Sequence, residues 1–465
     1  MTTITHQAFE VKEVVYTPEE QPCPDCGVSG QRRMQVAGGR QLQELHLDHP
    51  LLLVVTLGVY ACPNPVCPRK YFRARLPFAR KRARYTERAQ AKSVAAVIRD
   101  QMPLTKVPER MEADFHLRPA ATSVRGWVQQ AGEQIDGGQA YEPWVKRTFS
   151  GVLCVDEVYE AEFAVLVATD PLNGTTVGLA LEERPPEQTK TTATGEQMDR
   201  VLAYLKGLGL EVEVILRDGS PLYPARLARH FPEAAQELCT FHLKQDVVKE
   251  LLAAVRAYRR SLPAPPKRPR GRPRADAPPP PPEPTQEIWR ARGLFVMNPA
   301  TLAQREEQAQ AAGHPSPRAL LTRLGQEHPP LQTIRTGADE VYAIFTQPTP
   351  EDALERAAAL RANPLYQDHP DLHKALSHLT PEAVGQATLF LRYENLPATN
   401  NDAERAGRRF RKRQKAHYRL RAKTMLRAVL THECLAQKAR WEQSGRPVRR
   451  LQPKVGQQPA QPQAA

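Results

Sequence analysis

Two apolar segments that each run into a carboxylate constrain this chain more than any other feature. Residues 151–157 read Gly-Val-Leu-Cys-Val-Asp-Glu, and residues 211–219 read Glu-Val-Glu-Val-Ile-Leu-Arg-Asp-Gly. Such β-branched apolar runs predict buried strands. A carboxylate at the end of a buried strand is costly unless its charge is used. If the two strands are neighbours, Asp156 and Asp218 converge and can bind divalent metal ions together.

The residues around these two runs predict one mixed sheet. A strand-helix-strand crossover adds a parallel strand to an antiparallel meander, and the order of elements here fits that pattern. The predicted elements are strands at 152–155, 162–169 and 175–181 with a turn at 170–174, a helix at 196–208, a strand at 211–216, a helix at 223–230, a strand at 237–241 and a helix from 243.

The bulk composition indicates a modular protein with a polyanionic partner. The chain has 465 residues, which predicts three or four modules, and a formal net charge of +14. That charge favours nucleic acid over a membrane as the partner. No apolar run is long enough to span a bilayer, and the N-terminus lacks the features of a signal peptide. We therefore expect a cytoplasmic, nucleoid-associated protein without a membrane partner.

Four of the seven cysteines form two close pairs. The first pair is Cys23-Pro-Asp-Cys26, and the second is Cys62 and Cys67, separated by four residues. Two such pairs joined by a strand-rich segment can provide four thiolates, the ligand set of a structural zinc ribbon. A redox role for the first pair is less favoured because the second pair is present. Whether the ribbon also contacts DNA is left open.

A basic segment and a group of short helices follow the second cysteine pair. Residues 69–84 contain eight Lys or Arg and no acid, which suits either a solvated linker or phosphate contact. Helices are predicted at 107–115 and 123–135, after a helix that Thr86 can cap. This arrangement suits a helix-turn-helix, in which Arg118 and Arg125 would face DNA, although other small helical bundles give a similar pattern.

The middle of the chain contains a proline-rich segment and then a series of predicted helices. Residues 267–274 read Lys-Arg-Pro-Arg-Gly-Arg-Pro-Arg, which is similar to the core of an AT-hook. Arg270 and Arg272 would then lie in a narrow minor groove, and a plain linker is the alternative. Residues 285–395 predict helices and show no catalytic constellation.

A third carboxylate stands near the C-terminus, directly before a long cationic segment. The segment reads Thr399-Asn-Asn-Asp-Ala-Glu404-Arg, and ten Lys or Arg with no acid follow from 405 to 423. Glu404 can complete an acidic triad with the two earlier carboxylates. The alternative is a capping box between Asn401 and Glu404.

In this order, these motifs resemble the bacterial insertion-sequence transposases with a DDE catalytic domain that are related to eukaryotic Mutator-like elements. The similarity covers roughly residues 20–435 and rests on the cysteine pairs, the helical segment and the three acidic motifs, with Cys239-Thr-Phe-His242 in addition. It implies an α/β, RNase H-like mixed sheet interrupted by an all-helical insertion, after a zinc ribbon and a helical DNA-binding domain. The implied domains are 1–76, 77–145, 146–262, the linker 263–284, the insertion 285–395, 396–445 and a disordered tail 446–465.

The resemblance also implies a function and residue roles. The acidic triad maps onto Asp156, Asp218 and Glu404, which would bind two Mg²⁺ (or Mn²⁺) ions, with Glu157 as an alternative ligand. The reaction would be DNA strand cleavage and transfer at the ends of an insertion sequence, by a homodimer or higher oligomer bound to DNA. The alternatives are a DNA-binding regulator without cleavage activity and a metal-dependent nuclease. For the phosphoryl transfer that follows, Arg217, Arg405 and Arg408 are candidate phosphate contacts. Cys239 and His242 either support the site, with His242 orienting the substrate or a catalytic group, or only pack together.

Overall fold

The chain is a mixed α/β protein, and its computed structural model describes residues 9–134, 137–160, 163–183, 195–263, 283–367, 369–416 and 422–456. The described residues form two mixed sheets and seventeen α-helices. Within these ranges, no helix is both long enough and apolar enough to cross a bilayer. The chain divides into two compact units: the first is Met1–Trp144 with Arg408–Arg446, and the second is Val145–Gly407 with Pro447–Ala465.

Ten strands and seventeen helices are numbered here in chain order. The first part of the chain contains β1 (Glu10–Tyr16), β2 (Glu20–Pro22), β3 (Ser29–Glu44), β4 (Leu51–Ala61), β5 (Tyr71–Arg73), α1 (Glu87–Ile98), α2 (Val107–Phe115), α3 (Ala121–Gln134) and α4 (Gly137–Thr148). The middle contains β6 (Val152–Glu160), β7 (Phe163–Asp170), β8 (Thr175–Glu183), α5 (Gly195–Gly207), β9 (Val214–Arg217), α6 (Pro224–His230), β10 (Ala235–Leu238) and α7 (Thr240–Ser261). The remainder contains α8 (Pro284–Ala291), α9 (Pro299–Ala311), α10 (Pro317–Glu327), α11 (Pro329–Ile344), α12 (Pro350–Ala362), α13 (Pro364–Gln367), α14 (Pro370–Ser377), α15 (Pro381–Ala387), α16 (Asn401–Ala416) and α17 (Lys423–Ser444).

The first unit contains a five-stranded sheet in the order β1-β4-β3-β2, with β5 paired to β4. The strand-rich segment expected between the two cysteine pairs forms β3 and β4. Alternate residues of β4 are buried, as a half-buried strand requires. Its buried side chains form a small core with both cysteine pairs around them.

The basic segment 69–84 is part of this core and not a free linker. Phe72, Ala74 and Leu76 are buried, whereas Arg73 and Arg75 between them are exposed. The alternation holds the chain against the core by its apolar residues while the cations remain in solvent. The segment therefore presents an ordered cationic surface.

Two helices of the first unit, α4 and α17, were not assigned to it from the sequence, whereas α1 was. The helix capped by Thr86 is confirmed, because the Thr86 hydroxyl accepts from the Ala89 N–H at 3.3 Å. Helix α4 was not predicted. Helix α17 was expected in the last part of the catalytic domain, but it belongs to the first unit and packs on α3. The contact is close: a Cβ at Gly132 of α3 would collide with Ala428 of α17.

The second unit contains the predicted mixed sheet, in the order β10-β9-β6-β7-β8. Strands β6, β7 and β8 form an antiparallel meander, and β9 and β10 add to β6 in parallel. Buried apolar residues of β6 and β9 line one face of the sheet, and Leu389, Leu396 and Ala403 pack over them. The predicted order of strands and helices is confirmed.

The insertion expected at 285–395, between α7 and α16, is helical, as predicted. Every one of its eight described α-helices, α8 to α15, begins with a proline. Proline suits the first helical position because its missing N–H would have no intrahelical partner there. Side chains of Asn298, Ser316, Thr349 and Thr380 cap four of these helices. The apolar stripe of α7, with Val247, packs into the same core.

Residues 447–456 are ordered, and the prediction of a disordered tail from 446 is wrong for this part. The Leu451 N–H donates to Ser150 O at 3.0 Å, and the Lys454 N–H donates to Arg392 O at 2.8 Å. Asn395 exchanges two further hydrogen bonds with the backbone of this segment. Backbone pairing thus holds a sequence whose prolines and polar residues suggest disorder. Residues 457–465 lie outside the described part.

Glu237 of β10 has an unfavourable environment for a carboxylate. The residue is fully buried, and neither side-chain oxygen has a hydrogen-bond partner among the described residues. Burial raises the pKa of Glu237 well above its ordinary value of 4.5. Folding must therefore hold this carboxyl group in its neutral form, because a buried unpaired charge is far more costly.

Glu237→Gln is expected to remove a pH-dependent loss of stability. Since the folded pKa is raised, the stability is complete below the unfolded pKa and is lost as pH rises towards the folded pKa. In that window the free energy of unfolding of the wild type should fall by about 1.4 kcal/mol per pH unit more than that of the variant. Urea unfolding between about pH 5.5 and pH 8 measures this. Glu307→Gln, at an exposed position of α9, is the control; parallel pH profiles for all three proteins would contradict the expectation.

Candidate active site and metal centres

Asp156 in β6 and Asp218, directly after the end of the neighbouring parallel strand β9, occupy equivalent positions. The last registered pair of β6 and β9 is Cys154 with Leu216, and each aspartate stands two residues beyond it. Strand β6 continues to Glu160, so Asp156 lies within the strand and not at its end. The expected convergence of the two side chains is therefore a result of strand register.

A third carboxylate, Glu157, completes the cluster. Ligand oxygens of Asp156, Glu157 and Asp218 all lie within 4.8 Å of one another. Burial, followed by the charge of Asp218, raises the pKa of Asp156 to about 6 and that of Glu157 to about 8. The Tyr223 hydroxyl donates a hydrogen bond to Glu157. Carboxylates held together against this repulsion form the oxygen-rich donor set that suits Mg²⁺.

Glu404 lies near the cluster but is not one of its three members. Its charge contributes to the raised pKa of Asp156 and of His242. Glu404 belongs to the first turn of α16, and its N–H donates to Asn400 O at 3.2 Å. Asn401, the cap in the alternative interpretation, is already the first helical residue. The helix start therefore holds Glu404 on the side of the sheet where the aspartates lie.

Asn400 connects α16 to β6 and was missed by sequence reasoning. The residue is buried, and its Nδ2 donates to Val155 O at 3.1 Å, directly before Asp156. The Cys154 thiol donates to Asn400 Oδ1, and the Asn400 N–H donates to Cys239 Sγ at 3.3 Å. One amide side chain thus positions the helix that carries Glu404 relative to the strand that carries Asp156.

Gly407 permits the close approach of α16 to β6. A Cβ at Gly407 would collide with Cγ2 of Val158, which lies on the strand that carries Asp156. A glycine within a helix usually costs stability, so its presence here has a packing reason. The glycine in the segment after Glu404 could have suggested this, but its partner could not be inferred.

Gly407→Ala is expected to destabilise the second unit by about 1–3 kcal/mol, because overpacking displaces α16 from β6. Gly385→Ala in α15 is the matched control, since its Cβ would meet its nearest atom at 4.0 Å. The control should be neutral or slightly stabilising. Thermal unfolding measures both. Adding Val158→Ala to Gly407→Ala should restore much of the lost stability. Equal melting temperatures for Gly407→Ala and Gly385→Ala would contradict this account.

Cys239 and His242 lie at the start of α7, beside the carboxylates. Burial opposes ionisation of Cys239, but His242 and the Asn400 N–H outweigh it and lower the pKa of the thiol. The Cys239 side chain, and then Asp218 and Glu404, raise the pKa of His242. The charges of Asp218 and Glu404 therefore act on His242, and a raised pKa favours the form of His242 in which both ring nitrogens can donate hydrogen bonds.

The arginines predicted to contact phosphate have different environments. Arg217 is buried and donates to Gln236 Oε1, Asp218 O and Gln386 Oε1 at 3.2, 3.0 and 2.6 Å. We therefore withdraw Arg217 as a phosphate contact, because its donors are used inside the protein. Arg125, Arg405 and Arg408 are exposed, as is Arg118, which pairs with Glu112. Arg270 and Arg272 lie outside the described residues.

The four paired cysteines come together as predicted. Their sulfur atoms all lie within 4.8 Å of one another, with Cys23 Sγ 3.9 Å from Cys67 Sγ and Cys26 Sγ 3.5 Å from Cys62 Sγ. Zinc–sulfur bonds of about 2.3 Å in a tetrahedron place sulfur atoms about 3.8 Å apart. The arrangement can therefore hold a zinc ion.

Groups around the cysteines support this set of ligands. Arg69, which follows the second pair, donates to Asp25 within the first pair at 2.8 Å and so connects the two loops. Burial opposes ionisation of Cys23, but the Cys26 and Asp25 backbone lowers its pKa to about 7. Burial raises the pKa of Cys62 to about 12. Metal binding would therefore displace a proton from Cys62 at neutral pH.

Comparison with known protein families and curated proteins does not identify a family for this chain. No protein-family model matches the sequence. No curated protein matches it at a significant level.

Proposed function

We propose that this chain is a DDE transposase that binds the ends of an insertion sequence and catalyses magnesium-dependent cleavage and transfer of DNA strands. The observation that carries the proposal is the equivalent placement of Asp156 and Asp218, each two residues beyond the last registered pair of β6 and β9, with Glu404 near them on the helix that Asn400 connects to β6. The five-stranded mixed sheet and the helices between Asp218 and Glu404 are compatible with an interrupted RNase H-like fold.

The carboxylate cluster fits a two-metal reaction. Asp156, Asp218 and Glu404 would hold Mg²⁺, with Glu157 nearby, and two such ions would neutralise charge on the attacking and leaving oxygens of a phosphodiester. Phosphoryl transfer needs little covalent help from protein, so the residues mainly orient the reactants. His242 can donate a hydrogen bond to a phosphate oxygen or hold an acidic side chain in place.

Cations on both units suit a DNA substrate. In the first unit, exposed Arg73, Arg75 and Arg125 lie on ordered elements. In the second unit, Arg405 follows Glu404 on α16 and is exposed, paired with Asp402 at 3.3 Å. Each cation placed near a phosphate releases counterions, which favours binding. The zinc ribbon would stabilise the sheet of the first unit.

The test uses DNA carrying the sequences that flank the gene. With Mg²⁺, wild-type protein should nick at the element ends and leave 3′-hydroxyl groups, and EDTA should abolish the products. Precut ends should join to target DNA, which separates a transposase from a nuclease that only hydrolyses. Binding without any metal-dependent product would favour the regulator. Absence of both binding and cleavage would overturn the proposal.

A further inference from the structure

An exposed tryptophan on the helical insertion is stacked with two arginines. Trp289 of α8 leaves 41% of its surface in solvent. The guanidinium carbon of Arg292 lies 3.8 Å from the centroid of this ring, and that of Arg259, in the last turn of α7, lies 4.7 Å from it. Arg256 is exposed one turn before Arg259 on the same helix face. These four residues are called the Trp289 patch.

The cations of the Trp289 patch form few bonds within the part of the chain that the structure describes. Among the described residues, neither Arg256, Arg259 nor Arg292 forms an ion pair. Their other recorded bonds are to backbone carbonyls: Arg292 Nη1 donates to Trp289 O at 2.6 Å, and Arg256 Nε donates to Leu252 O at 3.2 Å. With respect to the described residues, most of these guanidinium N–H donors are therefore available to a ligand.

Stacking prepares these arginines to bind an anion. A guanidinium that lies over an aromatic ring keeps its N–H donors at its edge, in the plane that matches a phosphate. The stacked side chain has also lost part of its rotamer freedom before binding, so ordering it on a ligand costs less. Bidentate arginine–phosphate contacts are among the stronger charge-assisted hydrogen bonds.

Helix ends alone account for only part of this arrangement. Arginines near a helix C-terminus interact favourably with its dipole, and both Arg259 and Arg292 stand at such ends. The dipole does not explain why a large aromatic side chain stays exposed beside both of them. An exposed aromatic ring among unneutralised arginines is instead typical of nucleic-acid contact surfaces.

We infer that the Trp289 patch binds the phosphate backbone of duplex DNA, as a contact surface on the helical insertion separate from the acidic cluster. The inference rests on the proposed function only in taking DNA as the ligand. It requires neither metal nor cleavage. The net charge of +14 favours a polyanionic partner, and the planar edges of the stacked guanidinium groups match phosphate.

The test measures how salt weakens binding of full-length protein to a fluorescent duplex of arbitrary sequence, in EDTA. The double variant Arg259→Gln/Arg292→Gln is compared with Arg305→Gln/Arg361→Gln, which removes the same charge from exposed positions of α9 and α12. Each lost phosphate contact should lower the slope of log K against log salt by about 0.9, so the patch variant should lose about 1.8. The control should keep the wild-type slope.

Trp289→Leu provides a second readout that leaves every charge in place. It should weaken binding several-fold, because the guanidinium groups are no longer held by the ring. Equal slopes for the two double variants would overturn the inference, and so would preferential binding of a polyglutamate peptide at the patch. If the wild type does not cleave DNA but the two double variants differ in salt slope, only the catalytic proposal is wrong. If the wild type cleaves DNA and the two double variants have equal salt slopes, only this inference is wrong. If the wild type does not bind duplex DNA, both are wrong.

Discussion

Asp156→Asn is expected to lower the rate of magnesium-dependent DNA strand cleavage by about a thousandfold or more. Asp156 and Asp218 face one another beyond the last registered pair of β6 and β9, so removing one charge breaks the shared metal site. The variant should still fold, because Asn keeps the shape of Asp and removes a buried charge: burial, and then the charge of Asp218, raises the pKa of Asp156 to about 6.

The measurement is nicking of supercoiled DNA that carries the element ends, together with a melting curve for each protein. Asp371→Asn, at a half-exposed position in α14, is the matched control and should cleave like the wild type. Cleavage by Asp156→Asn at more than about a tenth of the wild-type rate, at saturating Mg²⁺, would rule out Asp156 as a metal ligand.

Glu404→Gln and Glu157→Gln then identify the third ligand. We expect Glu404→Gln to match Asp156→Asn, and Glu157→Gln to lose about tenfold or less. The reason is that Glu157 accepts a hydrogen bond from Tyr223 and its pKa is raised to about 8, so it competes poorly for metal at neutral pH. A larger loss of cleavage rate in Glu157→Gln than in Glu404→Gln would identify Glu157 as the third metal ligand.

Cys26→Ser is expected to abolish zinc binding and unfold the five-stranded sheet of the first unit. The cysteines belong to the small core of this sheet, so the metal should supply much of its folding energy. Structural zinc contributes about 10–16 kcal/mol in zinc-finger peptides at neutral pH, and three remaining thiolates cannot close the tetrahedral shell.

Zinc content by elemental analysis and limited proteolysis measure this effect. The wild type should contain about one zinc per chain, and the variant little. Cys434→Ser, at a cysteine outside the cluster, should retain the metal. A zinc-free wild type with an intact, protease-resistant sheet would show that these four thiols do not need an ion.

The sequence was most informative where local pattern determines structure. The apolar runs before Asp156 and Asp218 predict strands by composition alone, and their parallel pairing then places both carboxylates together. The two cysteine pairs have the spacing that metal ligation requires. Proline after a capping residue marks the helix starts of the insertion, as at Ser316-Pro317.

The features that sequence reasoning missed depend on contacts between distant residues. Nothing local indicates that Asn400 bonds to Val155, or that Gly407 meets Val158. Arg217 stands next to Asp218 in sequence and suggests a phosphate contact, yet Gln386 of the insertion takes its guanidinium group. Residues 447–456 read as disordered because composition cannot reveal the backbone partners that hold them.

The path of the chain between its two units limits how the protein can be dissected. The polypeptide leaves the first unit after Trp144, returns at Arg408 and leaves again after Arg446. A fragment ending before residue 408 would deprive α3 of α17, and a fragment starting at Val145 would carry α17 without its packing partner. Expression of either unit by itself therefore needs a spliced gene, such as 1–144 joined through a designed loop to 408–446, rather than a simple truncation.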